Sequence, residues 1–135
     1  PTNVKCAIED CGFTSVWDEF KYELKKTYKL NAFPTLYASS NIHSIFKGHS
    51  LKEASSIEQL KKSKTPTIFI HGDKDDFVLL ENLDPVYNAC PSPKRKHIIK
   101  GAEHALSSHW FHEEYWQVVD EFLEEYLTPV LSAQN

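Results

Sequence analysis

The sequence of 135 residues lacks the features that define several protein classes. It has no methionine, and its three cysteines (Cys6, Cys11 and Cys90) are an odd number without a CxxC pair, which argues against a disulfide framework or a zinc finger. No stretch approaches the ~20 consecutive apolar residues of a membrane-spanning helix, and the first residues lack a signal-peptide pattern. The formal net charge is −4, so no basic surface for nucleic acid is indicated. We therefore expect a cytoplasmic protein that does not bind nucleic acid, with no membrane-spanning segment in this chain.

The overall composition is that of an ordinary globular domain. Hydrophobic residues make up 41% of the chain, aromatic residues 13% and charged residues 25%, whereas disordered, collagen-like and coiled-coil sequences depart strongly from these values. A length of 135 residues gives room for one domain and not for two. Because the chain opens with Pro1 and lacks an initiator methionine, we expect it to be a piece of a longer gene product.

Short apolar runs and helical periodicity predict alternating strands and helices. Strands are predicted over residues 4–9, 67–70 and 96–100, the first two as buried parallel strands. Helices are predicted over residues 16–28, 34–47, 56–62, 79–89 and 111–126. Strands that alternate with helices indicate an α/β fold with a parallel sheet, and the long stretch from 16 to 64 indicates a helical insertion or lid.

Three residues set the expected ends of these helices. Ser15 has the position of an N-cap before the first helix. Pro85 lies inside the fourth helical stretch, where it must either kink the helix or mark its start after Asp84. Pro129 is expected to end the last helix, which leaves residues 131–135 as a loose tail.

Polar residues follow each predicted strand. Cys11 follows the first strand, a loop from His71 to Val78 with three aspartates follows the second, and His104 follows the third. Because the carboxyl ends of parallel strands meet at one edge of a sheet, we expect the aspartate-rich loop and His104 to lie side by side. A carboxylate beside a histidine is the orienting half of a charge-paired triad, since the acid fixes the tautomer and leaves the other ring nitrogen to take a proton from a nucleophile.

Two motifs at this edge resemble those of the α/β-hydrolases, in particular the bacterial serine esterases and peptidases of that superfamily. They are His71-Gly72-Asp73-Lys74-Asp75-Asp76-Phe77-Val78, an H-G-x-x-D-x-x-V pattern, and Gly101-Ala102-Glu103-His104-Ala105, a G-x-x-H pattern. The resemblance covers nearly the whole chain, including Ile8 to Trp17 and Glu53-Ala54-Ser55. It implies that Asp75 is the catalytic acid and His104 the catalytic base.

The sequence departs from the family pattern in two ways. Leu79 stands where the family often has a proline after the valine of the acid loop. The nucleophile elbow, G-x-S-x-G, should lie upstream of the acid, and this sequence does not contain it. In family terms, residues 1–135 resemble the C-terminal portion of a single domain, from the sixth strand through the eighth with the lid after the sixth. The nucleophile and the oxyanion-hole amides then belong to a missing N-terminal portion.

The resemblance implies a parent protein that is a serine hydrolase of carboxylic ester or acyl-peptide bonds, with no cofactor and no metal. The 135-residue chain alone is expected to be inactive. The strand over residues 4–9 normally pairs with a fifth strand in this family. We therefore expect its open edge to be covered by the missing N-terminal half or by a second copy of this chain.

The same residues leave alternatives open. Asp73 or Asp76 could be the acid in place of Asp75, and the thiol of Cys11 could be a nucleophile. Asp73 and Asp75 also form a D-x-D pattern, as in magnesium-dependent phosphatases, although only one predicted strand follows it. A catalytically dead relative that serves as a binding module is a further alternative.

A zinc site is not predicted from the histidine-rich stretch that contains His104, His109 and His112. His112 precedes Glu113, and the resulting H-x-x-H-E spacing matches neither H-E-x-x-H nor H-x-x-E-H.

Overall fold

A computed structural model describes residues 3–132 of the chain and the side chains of residues 3–127. Three strands and six helices alternate along these residues, with a short 3₁₀ turn at Leu80–Asn82. The strands are β1 (Ala7–Asp10), β2 (Thr67–Gly72) and β3 (Lys94–Ile99). The helices are α1 (Val16–Tyr28), α2 (Thr35–Lys47), α3 (Ser56–Leu60), α4 (Leu83–Ala89), α5 (Ser107–Trp110) and α6 (His112–Ser132).

The three strands form one parallel sheet in the order β1-β2-β3. Every residue of the central strand β2 is buried, as expected for a parallel strand covered on both faces. The predicted parallel α/β architecture is therefore confirmed. The prediction that β1 is buried is wrong: its residues alternate between half-buried and exposed, and Ile8 is 40% exposed, because β1 lies at the edge of the sheet.

Side chains that alternate along β2 divide the core into two layers. Ile68 and Ile70 face helix α6, where they pack in one cluster with Val119 and Phe122. Phe69 faces the opposite side. On that side Leu83, Val86 and Cys90 of the α4 region complete a second cluster. The sheet is thus held between α6 and α4, and the first cluster extends to Ile99 and Ala102 at the carboxyl end of β3.

Helix α1 begins where the sequence predicts. Ser15 is its N-cap, and the Ser15 hydroxyl accepts a hydrogen bond of 3.1 Å from the backbone N–H of Asp18. The chain returns to the same point after α2, because Val16 N–H donates to Ala54 C=O and Ser56 N–H donates to Thr14 C=O. Helices α1 and α2 therefore form an insertion whose two ends, residues 14–16 and 54–56, are joined by hydrogen bonds.

Two prolines do not act on the helices as the sequence suggests. Pro85 is the third residue of α4, so neither the predicted kink nor the predicted start after Asp84 is observed. The N–H groups of a first helical turn have no intrahelical acceptor, so proline costs nothing there. Pro129 does not end α6, which continues to Ser132, since the φ angle of proline is itself helical. Residues 133–135 of the predicted tail lie outside the described residues.

The remaining boundaries differ from the predictions by a few residues. Strand β1 starts three residues later than predicted, β3 starts two residues earlier, and α3 ends at Leu60. Among the described residues, no helix is long and apolar enough to cross a membrane.

Candidate active site

The carboxyl ends of β2 and β3 lie next to each other, and their loops are tied together by hydrogen bonds. The carboxylate of Asp73 accepts a hydrogen bond of 2.6 Å from the backbone N–H of Gly101. The N–H of Lys74 donates to the carbonyl of Ala102 at 3.0 Å. Gly72 allows this approach, because a Cβ atom at this position would overlap the carbonyl oxygen of Ala102. The two motif loops therefore form one joined edge.

Asp75 is held at this edge in a fully bonded position. Its side chain is buried, and Oδ1 accepts hydrogen bonds from the backbone N–H groups of Phe77 at 3.0 Å and Val78 at 2.8 Å. Its second oxygen, Oδ2, lies 2.8 Å from Nδ1 of His104. The loop backbone thus orients the carboxylate so that one oxygen points to the histidine.

His104 connects this buried carboxylate with the surface. A carboxylate can only accept a hydrogen bond, so Nδ1 carries the proton that it shares with Asp75, and Nε2 of the neutral ring is an acceptor. The side chain of His104 is 34% exposed, and its ring packs against Phe77 with centroids 4.9 Å apart. Among the described residues, Nε2 has no hydrogen-bond partner. The arrangement can accept a proton at Nε2 and stabilise the resulting charge through Asp75.

His71 has a larger part in this edge than the sequence indicates. It is fully buried in β2, and its Nε2 donates a hydrogen bond of 2.8 Å to the carbonyl of Val78. The same nitrogen lies 3.5 Å from Oδ2 of Asp75. His71 therefore contacts the acid loop at both Asp75 and Val78 and stabilises its conformation. The H-G-x-x-D-x-x-V motif contains this residue, but its role depends on the loop folding back over the strand.

The alternative acids are engaged elsewhere. Asp73 binds the backbone of Gly101, which fits a turn-forming role. The side chain of Asp76 is 84% exposed and lies 3.3 Å from Nζ of Lys26 on α1. Of the three aspartates, Asp75 is the one bonded to His104.

Cys11 lies at the same edge, directly after β1. It is 5% exposed, and its Sγ donates to the carboxylate of Asp10 at 3.2 Å. Burial is the main factor that raises the pKa of the Cys11 thiol to about 12. A thiol with that pKa stays protonated at neutral pH, which opposes the role of nucleophile.

One group of potential metal ligands was found among the described residues. It consists of Cys11, Asp75 and His104, whose ligand atoms lie within 4.8 Å of one another. His109 and His112 are exposed and belong to no such group within the described part of the chain. The histidine-rich stretch therefore does not gather into a zinc site there.

Helix α1 passes over the acid loop, a feature that the sequence motifs do not reveal. The hydroxyl of Tyr22 and the ammonium group of Lys26 both donate to the backbone carbonyl of Asp76. Glu19, one turn before Glu23 and two turns before Lys26, is buried on this helix. Only the amphipathic pattern of the helix could have pointed to Glu19, as a charged residue on a face that becomes covered.

Comparison with known proteins by sequence gives one relative and no family. No protein-family model matches the chain. The chain is 28% identical over 117 residues to the uncharacterized protein YqkD of Bacillus subtilis strain 168. The alignment covers 87% of this chain and 38% of YqkD.

Comparison by structure shows the fold. The acylaminoacyl peptidase of Pyrococcus horikoshii matches 91% of this chain with a TM-score of 0.65 and 15% identity, over 20% of its own length. An esterase of Pyrococcus furiosus matches 91% with a TM-score of 0.64 and 19% identity, over 46% of its length. An esterase of Thermogutta terrifontis matches 64% of the chain with a TM-score of 0.52 and 20% identity, over 34% of its length.

The chain thus has part of the α/β-hydrolase fold, with three parallel strands and flanking helices. It spans less than half the length of each of these relatives. The solved relatives are hydrolases, which agrees with the resemblance that the two sequence motifs carry.

Proposed function

We propose that this chain is the C-terminal portion of a serine hydrolase, in which Asp75 and His104 are the acid and the base of a Ser–His–Asp triad. The observation that carries the proposal is the 2.8 Å hydrogen bond between Oδ2 of Asp75 and Nδ1 of His104, at the carboxyl edge of the sheet. The burial of Asp75 and the partial exposure of His104 support the proposal, because the base must reach the substrate whereas the acid only orients the imidazole ring.

In the proposed mechanism, a serine hydroxyl attacks the carbonyl carbon of the substrate. Nε2 of His104 takes the hydroxyl proton as the bond forms, and Asp75 stabilises the imidazolium. His104 then gives that proton to the leaving oxygen or nitrogen, which leaves an acyl-enzyme. A water molecule next attacks the acyl group, with its proton passing through Nε2, and the acid product and the free serine are released.

The serine and the oxyanion-hole donors of this mechanism are not assigned to these 135 residues. The sequence contains no G-x-S-x-G elbow, and the candidate nucleophile Cys11 has a raised pKa. The nucleophile is therefore proposed to come from an N-terminal portion of the same domain, with α1 and α2 as part of a lid. The chain alone is then inactive.

The substrate class follows from the solved relatives, which include an acylaminoacyl peptidase and esterases. We expect a carboxylic ester or an acyl-peptide substrate, without a cofactor. Cys6, Cys11 and Cys90 are all free thiols, which fits a cytoplasmic location.

The outer edge of β1 is proposed to bind the N-terminal portion, or a second copy of the chain when that portion is absent. In the sheet of the described residues β1 pairs on one side, with β2, and its residue Ile8 is 40% exposed. Unpaired strand edges favour association. Hydrogen exchange at Ile8 and Asp10 tests this, because the N–H groups of Ala7 and Cys11 already donate to Pro66 and Ile70 and the amides between them alternate in direction. The amides of Ile8 and Asp10 should become protected when the upstream portion is present, and unchanged exchange would contradict the proposal.

A fluorophosphonate probe tests the proposed triad in the protein extended upstream. The probe should label one serine, and His104→Ala should abolish labelling because the hydroxyl loses its base. His109→Ala is the matched control, since His109 is an exposed histidine five residues away, and it should label like the unchanged protein.

Other outcomes separate the alternatives. Labelling that survives loss of His104 would contradict its role as base. No labelled serine in the extended protein would favour a dead relative that binds without catalysis. Phosphatase activity that requires magnesium would favour the D-x-D interpretation of Asp73 and Asp75.

A further inference from the structure

Glu19 on α1 is a buried acid without a hydrogen-bond partner. It is 8% exposed, and its Oε1 is removed from solvent without contacting any donor in the described residues. A carboxylate oxygen in this state has lost its hydration without receiving a hydrogen bond in return, which is a costly arrangement. Such a group therefore suggests that a donor arrives from elsewhere.

The surroundings of Glu19 place it beside the candidate active site. Its carboxyl group interacts electrostatically with Asp75 and with His104, the proposed acid and base. One and two turns further along α1, Tyr22 and Lys26 bond to the backbone of the acid loop, which holds this face of the helix over the loop. Glu19 thus lies on the helix face that covers the acid loop.

Glu23 lies on the same face, four residues later, and one of its two carboxylate oxygens is bonded. Oε2 accepts a hydrogen bond of 3.2 Å from Thr27. Oε1 lies 3.8 Å from Nζ of Lys26 and, like Oε1 of Glu19, is removed from solvent without a hydrogen-bond partner in the described residues. Glu23 also lines a cavity of about 280 Å³ between α1 and α2. The cavity is otherwise largely apolar, with Phe20, Leu24, Tyr28, Leu36 and Leu51 among its lining residues. A ligand that carries an apolar group close to a hydrogen-bond donor would match both the apolar cavity and the buried acid.

The electrostatics of Glu19 favour a cation as the missing donor. Burial, followed by the charge of Glu23, raises the pKa of the Glu19 carboxyl group. Both causes disfavour a second anion and are relieved when a positive charge comes close. An ammonium group offers that charge and three N–H donors in one compact group.

We propose that Glu19 binds a free amino group of the substrate, so that the hydrolase prefers aminoacyl esters or amides whose apolar side chain enters the cavity between α1 and α2. This inference rests on the proposed serine hydrolase function and names its substrate class. Glu19 is a recognition residue in this proposal and has no part in proton transfer.

A matched pair of substrates tests the inference in the extended protein. The p-nitrophenyl esters of leucine and of 4-methylpentanoic acid share one carbon skeleton and differ in the ammonium group. At neutral pH the KM for the leucine ester should be lower by about tenfold or more, the effect expected of a charge-assisted hydrogen bond. Glu19→Gln should remove this difference and leave the kinetics of the neutral ester within about twofold, because only the charged contact is lost.

Glu58→Gln is the control, because Glu58 is an exposed glutamate on α3 that does not line the cavity between α1 and α2. Its carboxylate already pairs with Nζ of Lys61, so this variant should keep the preference for the leucine ester. Inhibition of neutral-ester hydrolysis by n-butylammonium gives a second measurement that needs no aminoacyl substrate. It should weaken about tenfold in Glu19→Gln.

Distinct results overturn the two proposals. Equal KM values for the two esters in the unchanged protein would overturn the inference. So would an equal loss on both esters in Glu19→Gln, which would indicate a structural role for this acid. Neither result affects the proposed hydrolase, which fails instead if neither ester is hydrolysed and no serine is labelled.

Discussion

The acid loop and helix α2 differ in how fully the rest of the chain contacts their side chains. At the loops, both oxygens of Asp75 are bonded within this chain. On α2, Ile45 and Phe46 are each 79% exposed. The difference shows that Asp75 is held by its own chain, whereas Ile45 and Phe46 on the outer face of α2 are left uncovered by the described residues.

The largest expected effect is at the acid. Asp75→Asn should lower kcat of the extended protein by about 10³- to 10⁴-fold, since an amide in place of Oδ2 no longer accepts the Nδ1–H of His104 and favours the wrong tautomer. The remaining amide oxygen can still accept from Phe77 and Val78, so the fold should persist. Ester hydrolysis measures the loss. Asp76→Asn, at an exposed side chain, is the control, and an equal loss there would contradict the assignment.

Gly72→Ala should disrupt the close contact between the acid loop and the loop that carries His104. The added Cβ overlaps the backbone carbonyl of Ala102, so the free energy of unfolding should fall by about 3 kcal/mol or more. Gly48, at the end of α2, has φ of 78° and open space around it, so Gly48→Ala should cost only about 1 kcal/mol. Urea unfolding of the two variants gives the comparison, and equal losses would show that the close approach is not needed.

Glu9 on β1 should make stability depend on pH. Burial, and then the charge of Asp10, raises the pKa of Glu9 from 4.5 to about 7 in the folded state. The folded protein therefore holds this proton more tightly than the unfolded chain, and stability falls as pH rises from about 4.5 to 7. The contribution of this residue is about 3 kcal/mol. Glu9→Gln should remove this pH dependence. The free energy of unfolding of the variant, measured by chemical unfolding, should therefore rise relative to that of the unchanged protein between pH 4 and pH 8. An equal pH dependence of the two proteins would rule out the raised pKa.

The smallest effect is expected on the outer face of α2. Phe46→Ser should change the free energy of unfolding by less than about 0.5 kcal/mol, because the side chain is 79% exposed. Leu36→Ala on the same helix should cost about 2 kcal/mol or more, since Leu36 is 3% exposed. Thermal unfolding of both variants measures the contrast. A large loss for Phe46→Ser would mean that another surface covers this face.

Much of the fold could be predicted because the relevant patterns are local. The apolar run before His71 indicated a buried strand, and Ser15 indicated the start of α1; both are observed. The prolines were harder to interpret, because the effect of Pro85 depends on where the first turn begins. The open edge of β1 was implied by the family resemblance, but its burial was predicted wrongly, since burial depends on what covers a strand and not on its own residues.

The candidate site was predicted only in part for the same reason. Asp75 and His104 stand in motifs that carry their positions along the chain. His71 also stands in a motif, but its role arises from the fold, since it reaches Val78 across the loop. Glu19 stands in no motif, and its burial arises from the position of α1 over the acid loop.

The order of residues by itself determined the alternation of strands and helices, the parallel sheet and the two polar loops at its carboxyl edge, because hydrophobic periodicity and turn residues act over a few positions. Tertiary structure alone decided how the two oxygens of Asp75 are shared between His104 and the loop backbone, that a buried oxygen of Glu19 has no donor among the described residues, and how far β1 is exposed. Those outcomes depend on distances of a few ångströms between segments that are far apart in the chain, and local preferences do not fix such distances.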